Sequence, residues 1–417
     1  MRLVHKFTYK GKECERITEY CKISKNLHNQ ALYAIKQGLK DDKYIFYNEL
    51  DSLMKCTTNL EGEVNYYLMP KVQCSQQCLK VLDKAMKSYF KSVKDWKVHK
   101  EKYNGKPKLP RYKKNLNQLV MTSQCCQIRD GKLIMTRDVS IPIPQWDKYG
   151  VDLMSFKQVR VNPIFDGKAY DIEIVYERKT VNADLDMDSY ASIDLGVDNL
   201  VTMVSDKGRP LIYSGKQIKS LNQWFNKELA RLKSELALKQ GRRTSDGIRR
   251  LYMKRNDRLG DVMHKVSRHI VNYCLDNGIG NIVVGYNKGW KDSICIGKRN
   301  NQTFVGIPYD RLLSCLKYKC ALCGINVIEN EESYTSKCDG LAYEEVCKHD
   351  EYMGRRVKRG LYRSSVGKVI NADVNGALNI LRKVVGDSDC IRRIIDSGRL
   401  FRPIKQRNLF CLMNIIE

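Results

Sequence analysis

The stretch Tyr190-Ala-Ser-Ile-Asp-Leu-Gly-Val-Asp-Asn-Leu-Val-Thr-Met-Val204 constrains this chain more than any other. It reads as an apolar strand carrying Asp194 at its middle, a turn through Gly196, and a second strand. An acid inside a buried strand is costly unless something pairs with its charge, and a divalent cation is the usual partner. One Asp holds no metal alone. The fold must therefore bring other carboxylates back onto Asp194, and the remaining sequence is searched for them.

The 417 residues suffice for two or three domains with their own cores. Lys and Arg number 74 against 47 Asp and Glu, a net charge of +27 spread along the whole length. That excess points to a polyanionic partner, nucleic acid first. With 42% hydrophobic residues the chain is more than a charge carrier. No apolar run approaches the roughly 20 residues of a membrane span, so no membrane partner is expected. Met1–Lys10 reads as a strand and not a signal peptide. The 16 scattered Cys, two of them adjacent at Cys125 and Cys126, suit a reducing cytoplasm and no disulfide framework.

Residues 1–23 read as a first strand and its sequel. Leu27, Ala31, Ile35 and Leu39 then recur at helical spacing, as do Leu79, Leu82, Met86, Phe90 and Val93 beyond Pro70. Residues 24–104 are accordingly a helical insert. At its end Lys106, Lys108, Arg111 and Lys113 interleave with Tyr103, Tyr112 and two prolines, which forbid a long helix. Cations with aromatics between them suit a phosphate backbone and stacked bases. Residues 105–185 read as β. Tyr170, Ile172, Ile174 and Tyr176 alternate with acidic residues, and Asp130-Gly131 and Asp166-Gly167 supply hairpin turns. Together with the first strand they are expected to close a small β-barrel, which would leave no open edge.

From residue 186 the pattern becomes α/β. Two strands (191–205) and a third (210–213) precede a long basic helical stretch, 216–276, which Gly241-Arg-Arg-Thr-Ser-Asp-Gly247 is expected to break. A fourth strand (281–285), a helix from Tyr309, a fifth strand (325–329) and a last core helix opening at Asn371-Ala-Asp-Val-Asn-Gly-Ala follow. This is the element order of an RNase H-like fold, whose sheet runs 3-2-1-4-5 with metal ligands around strand one. Such nucleases hold two Mg²⁺ ions about 3.5–4 Å apart. Asp194 is the strand-one ligand and Asp373, in the first turn of the closing helix, the second. A third is normally a Glu at the end of strand four, but Gly285 and Tyr286 stand there. Strand five ends in Glu329-Asn-Glu-Glu332, one strand spacing of about 4.8 Å away. A Glu at that tip reaches the site if Gly285 leaves the space open.

Several motifs resemble the TnpB (OrfB) family of transposon-encoded RNA-guided DNA nucleases, relatives of type V CRISPR effectors. They are Ile193–Leu200, Met263-His-Lys-Val-Ser-Arg268, Tyr334-Thr-Ser-Lys-Cys338 and Asn371–Ile380, with Gln76–Leu79, Lys87–Phe90 and Gly105–Lys113 upstream. The likeness covers residues 1–385. It implies a multidomain α+β chain. A wedge barrel (1–23 and 105–185) would carry a helical recognition domain (24–104). An RNase H-like RuvC nuclease domain (186–385) would follow, with a basic insert at about 338–370 and a tail at 386–417. The implied activity is guide-RNA-directed cleavage of double-stranded DNA beside a short flanking motif, by a monomer or homodimer in the cytoplasm, at the nucleoid. The implied catalytic and metal-binding residues are Asp194, Glu332 and Asp373. Glu332 lies three residues before the Thr-Ser pair, as in rearranged members, and Glu331 is held in reserve, since alternation makes the two exclusive. Arg268, Lys337, Arg355 and Arg356 join the basic residues expected on nucleic acid.

Most relatives carry two Cys-x-x-Cys pairs in the insert. Here Cys338 and Cys347 stand singly, with His349 nearby, and Cys320-x-x-Cys323 ends a helix. A zinc site from those four cysteines is the weaker reading, because a helix-end Cys packs as readily as it ligates. Two other functional readings compete: a nuclease-inactive RNA-guided repressor, motivated by Gly285, and a guide-independent resolvase on the same fold.

Overall fold

A computed structural model describes residues 1–240, 244–287, 289 and 297–412, and divides the chain into two compact units, Met1–Lys179 and Thr180–Glu417. The first unit begins with β1 (Arg2–Tyr9), followed by α1 (Cys14–Gly38), α2 (Tyr47–Cys56), α3 (Asn65–Leu68) and α4 (Val72–Val98). Helix α1 starts ten residues earlier than residue 24. Cys14, Ile17, Cys21 and Ser24 continue the buried face of Leu27, Ala31 and Ile35, but their small and mixed chemistry hid the period in the sequence. On α4, Leu79, Leu82 and Met86 are fully buried, whereas Phe90 is partly exposed and meets Tyr44 edge-on at 5.2 Å.

Strands β2 (Leu119–Thr122), β3 (Gln127–Arg129), β4 (Lys132–Thr136) and β5 (Val139–Pro142) come next, then α5 (Trp146–Leu153), β6 (Phe156–Ile164) and β7 (Ala169–Glu177). Among the described residues these form two open sheets, β1-β7-β6-β2 and β3-β4-β5, and not the expected closed barrel. The reason is local. A turn closed by Cys125 N–H donating to Thr122 O at 3.0 Å ends the ladder after β2. Asp130 and Gly131, both at positive φ, then tie β3 to β4 in a two-residue hairpin, so the short strands pair with each other. Both sheets and the helices share one apolar core.

The second unit carries β8 (Asp186–Leu195), β9 (Asn199–Ser205), β10 (Leu211–Ser214), α6 (Lys216–Gln240), α7 (Asp246–Asp276), β11 (Ile279–Gly285), α8 (Lys298–Val305), α9 (Tyr309–Cys323) and β12 (Asn326–Asn330). A small three-stranded sheet follows, β13 (Arg355–Lys358), β14 (Leu361–Arg363) and β15 (Val369–Asn371). Then come α10 (Ala372–Val385), α11 (Asp389–Asp396) and β16 (Ile404–Gln406). The break between α6 and α7 falls where expected. Arg242 and its neighbours 241 and 243 lie outside the described residues, and Ser245 caps α7 by accepting from Ile248 N–H at 3.3 Å.

The main sheet runs β12-β11-β8-β9-β10-β16. Its first five strands have the 3-2-1-4-5 order read from the sequence, with β8 central, antiparallel to β9 and parallel to β11. The sixth strand was not foreseen: the segment beyond residue 385 folds α11 beside α10 and lays β16 parallel along β10. Alternation along β8 gives the sheet its two faces. Ala191, Ile193 and Leu195 pack with α6, α7 and α9, where Val262, Val266, Ile270 and Leu316 are buried. Ser192 faces the other way and donates to Ala377 O of α10 at 2.7 Å. Asp194 has the same parity as Ser192, so it points toward α10.

Candidate active site

Helix α10 completes the site, and its sequence explains how. Asn371 caps it by accepting from the N–H groups of Asp373 and Val374 at 3.0 and 3.2 Å, which places Asp373 in the first turn, where the helix dipole favours a negative charge. Val374, Ala377, Leu378, Ile380 and Leu381 are fully buried against the sheet, each large side chain contributing about 1.5–3 kcal/mol. One turn after Asp373 comes Gly376. A Cβ there would stand 3.0 Å from Asp194 Oδ2, so the missing side chain lets the strand-one carboxylate lie against the helix.

Gly285 plays the same part at the end of β11. A Cβ on it would meet Ile380 Cδ1 at 2.5 Å and Glu332 Oε2 at 3.1 Å. The Glu332 carboxylate thus lies against the place where strand four lacks a side chain. Glu331 turns outward: it pairs with Lys383 at 2.8 Å and accepts from Ser333 N–H at 2.7 Å. Of the two glutamates, the inward one is Glu332.

The electrostatics record the convergence. Burial raises the Asp194 pKa well above the carboxylate range, and repulsion from Asp373 and Glu332 raises it further, with Arg356 opposing. Burial and then Glu331 push Glu332 up to about 7, against Lys383. Asp373 accepts from Asn199 Nδ2 at 2.6 Å and has Arg356 at 3.8 Å. Beneath the turn after β8, the buried Tyr309 hydroxyl donates to Gly196 O at 2.8 Å, and its own ionisation is disfavoured by burial, Asp194 and Glu332. Asn199 and Tyr309 escaped the sequence reading. Asn199 lies within the Ile193–Leu200 motif, so adjacency to Asp194 was its one available signal.

Three carboxylates with hard oxygen donors and little compensating charge match the chemistry of Mg²⁺. Among the described residues, however, no group of three or more His, Cys, Asp or Glu side chains is placed to hold a metal ion. The four cysteines considered for zinc are not assembled either. Cys320 is buried among α7 and α9 residues, while the Cys338 thiol donates to Cys347 O at 3.5 Å within the insert.

The insert is tied down by other means. Asn375 donates to Cys338 O at 2.8 Å and accepts from Gly340 N–H at 3.0 Å. Asn379 donates to Thr335 O and Cys338 O at 2.9 and 2.7 Å. These two α10 residues lie in the Asn371–Ile380 motif, one turn apart, and the sequence alone gave them no role.

The expected nucleic-acid residues fall into three groups. Lys106, Lys108, Arg111, Tyr112 and Lys113 are all exposed in an extended segment of the first unit. It is pinned to α1 by two hydrogen bonds between Asn29 and the Lys113 backbone, with Lys36 4.1 Å from the Tyr112 ring centre. Lys337, Arg355 and Arg356 are exposed on the second unit, Arg356 leaning to Asp373. Arg268 is half-buried in α7 near Lys319, whose ammonium donates to His264 O and Ser267 Oγ at 2.5 and 2.7 Å.

Two family models match the chain. One, described as a probable transposase (OrfB_IS605), covers residues 173–291, and one, described as a Cas12f1-like TNB domain, covers residues 309–380. The cryo-EM structure of a Cas12f1–sgRNA–target DNA complex superposes with a TM-score of 0.52 over 89% of this chain and 83% of that one, at 14% identity. This is therefore a mixed α+β multidomain protein with the fold of Cas12f1. A TnpB-like protein, ORF457 of Acidianus two-tailed virus, is 28% identical over 207 residues, 47% of this chain. The chain spans 42% of that relative's length. These matches support a protein of the TnpB (OrfB) family. Among the described residues no helix is long and apolar enough to cross a membrane.

Proposed function

We propose that this chain is a guide-RNA-directed DNA endonuclease with an RNase H-like (RuvC) centre. In this reading Asp194, Glu332 and Asp373 hold magnesium. The observation that carries it is the approach of Glu332 to the gap at Gly285, on the face of β8 where Asp194 meets Gly376 of the helix that bears Asp373. A nuclease-dead relative would have no reason to keep an inward carboxylate at that gap. When bound, magnesium supplies an activated water and charge stabilisation at a phosphodiester.

The protein's own groups prepare for that chemistry. Asn199 orients Asp373, Tyr309 fixes the turn after β8, and Arg356 offers a cation beside the carboxylates where a phosphate would lie. The basic stretch Lys106–Lys113 and the residues Lys337, Arg355 and Arg356 serve the guide and the target duplex, in keeping with a net charge of +27. The Cas12f1 complex that shares the fold contains an sgRNA and target DNA, which supports the same partners here.

The test is cleavage of a plasmid target by the full chain with the RNA that co-purifies with it, in Mg²⁺ and in EDTA. Cutting is expected only with Mg²⁺, and Asp194→Ala is expected to abolish it while nucleic-acid binding persists. Retained cutting by Asp194→Ala would refute the assignment. Binding without any cutting by the parent would favour the repressor.

A further inference from the structure

A second site lies on the α6–α7 hairpin. Gln217, Ser220, Leu221 and Trp224 of α6, Arg258 of α7 and Phe410 line an open cleft of about 440 Å³. It is built and not accidental. Gln217 accepts from Leu409 N–H at 2.8 Å and donates to Asn408 Oδ1 at 3.1 Å, and Lys265 donates to Phe410 O at 2.7 Å. Leu409 and Leu412 are buried beside it. Trp224 nonetheless stays 41% exposed on a fixed wall, with the Lys254 ammonium over its ring, 5.6 Å from the ring centre. Arg258 is exposed and makes no ion pair among the described residues.

An exposed indole with a cation over its ring and an unpaired guanidinium in the same cleft, beside a side-chain amide and a hydroxyl, has the chemistry that takes a nucleobase on its free face and a phosphate at its rim. The volume falls in the range of small-ligand clefts. An acidic peptide would use the cations and leave the indole idle, and an apolar segment would bury Arg258 without a partner. Position argues for the strand being cut. Helix α6 starts beside the carboxylates: Lys219 pairs at 2.5 Å with Asp198, four residues after Asp194. Trp224 lies five residues further along, about 7.5 Å at the α-helical rise.

We infer that this cleft holds an unpaired base of the single-stranded DNA entering the carboxylate centre, stacked on Trp224 with a phosphate on Arg258. The inference rests on the nuclease reading for its choice of DNA.

The test uses the full-length chain carrying Asp194→Ala, so that binding is measured without cutting. Fluorescence anisotropy with a labelled oligothymidylate of about twelve nucleotides reads the affinity. Trp224→Leu, which keeps apolar bulk but not the stacking face, should weaken binding about tenfold or more. Trp224→Phe should restore most of it, and Arg258→Ala should lower the salt slope by about 0.7. Unchanged affinity in Trp224→Leu overturns the site. Equal loss in Trp224→Leu and Trp224→Phe marks a packing role and overturns it too. A loss seen with an oligouridylate but not with the DNA overturns the choice of strand. If the nuclease reading itself is wrong, the parent fails to cut in Mg²⁺ whatever the oligonucleotide does, so the two failures are told apart.

Discussion

Two acidic centres sit in the unit Thr180–Glu417, and they are built on opposite plans. In the insert, Asp339 is fully buried, and every approach to its carboxylate is taken by a donor. Ser364 Oγ and Ser365 N–H reach it at 2.8 and 2.7 Å, Ser365 Oγ at 3.0 Å and Leu341 N–H at 3.2 Å. Glu344 beside it accepts from the N–H groups of Asp339 and Met353. Beneath α10, Asp194 is instead buried where Asp373 and Glu332 repel its charge, opposed only by Arg356 and one backbone hydrogen bond. A carboxylate surrounded by donors is finished and holds structure. One repelled by its own kind holds a perturbed charge, which marks a candidate functional site and not a structural one.

That contrast can be broken or sharpened by substitution. The largest effect is expected beneath α10. Asp194→Ala, Glu332→Ala and Asp373→Ala should each reduce Mg²⁺-dependent cleavage by roughly 10³-fold or more while leaving the melting temperature unchanged or raised. Full activity in Glu332→Ala would break the comparison outright. At the finished centre the signs reverse. Asp339→Ala strands five donors, the Ala342 N–H at 3.4 Å included, and should cost on the order of 3 kcal/mol in urea unfolding, with activity lost only as the protein unfolds.

Next comes pH. Glu332 has its pKa near 7 when folded against an ordinary 4.5, so between pH 5 and 7 the native chain binds a proton that the unfolded chain lacks. Stability in EDTA should therefore fall as pH rises through that window, by about 1–3 kcal/mol, and level off above it. Asp194 adds in the same direction, and Glu332→Gln should flatten the slope.

A smaller change is expected from Gly285→Ala. Its methyl would displace the end of Ile380 and crowd Glu332, lowering cleavage about tenfold with little loss of stability. The smallest belongs to Glu331→Ala, which removes an exposed ion pair with Lys383 and should leave both readouts within about twofold.

How much of this was legible follows from the same physics. Asp194 stood out because a charge inside an apolar strand violates a local rule. Asp373 stood out because a capped helix start is a local signal. Gly285 could be read as a gap, and the order of strands followed from element order. The outward turn of Glu331 and the inward turn of Glu332 depend on Lys383 and Ile380, about 50 residues away in sequence, and only a family likeness favoured one over the other. The hold of Asn375 and Asn379 on the insert, and the pairing of β16 with β10, are tertiary in the same way. The barrel was misread because alternation marks strands without naming their partners, and the turns at Cys125 and Asp130-Gly131 decided those.

The central position of β8 also bears on when the protein becomes able to act. During synthesis this strand emerges with Asp194 long before β11, β12 and α10, which flank it and cover its face. A nascent chain still on the ribosome thus carries lone acids scattered along it and no working blade. The candidate centre is complete only in one late step, when α10 docks and brings Asp373 to Asp194, which was made first.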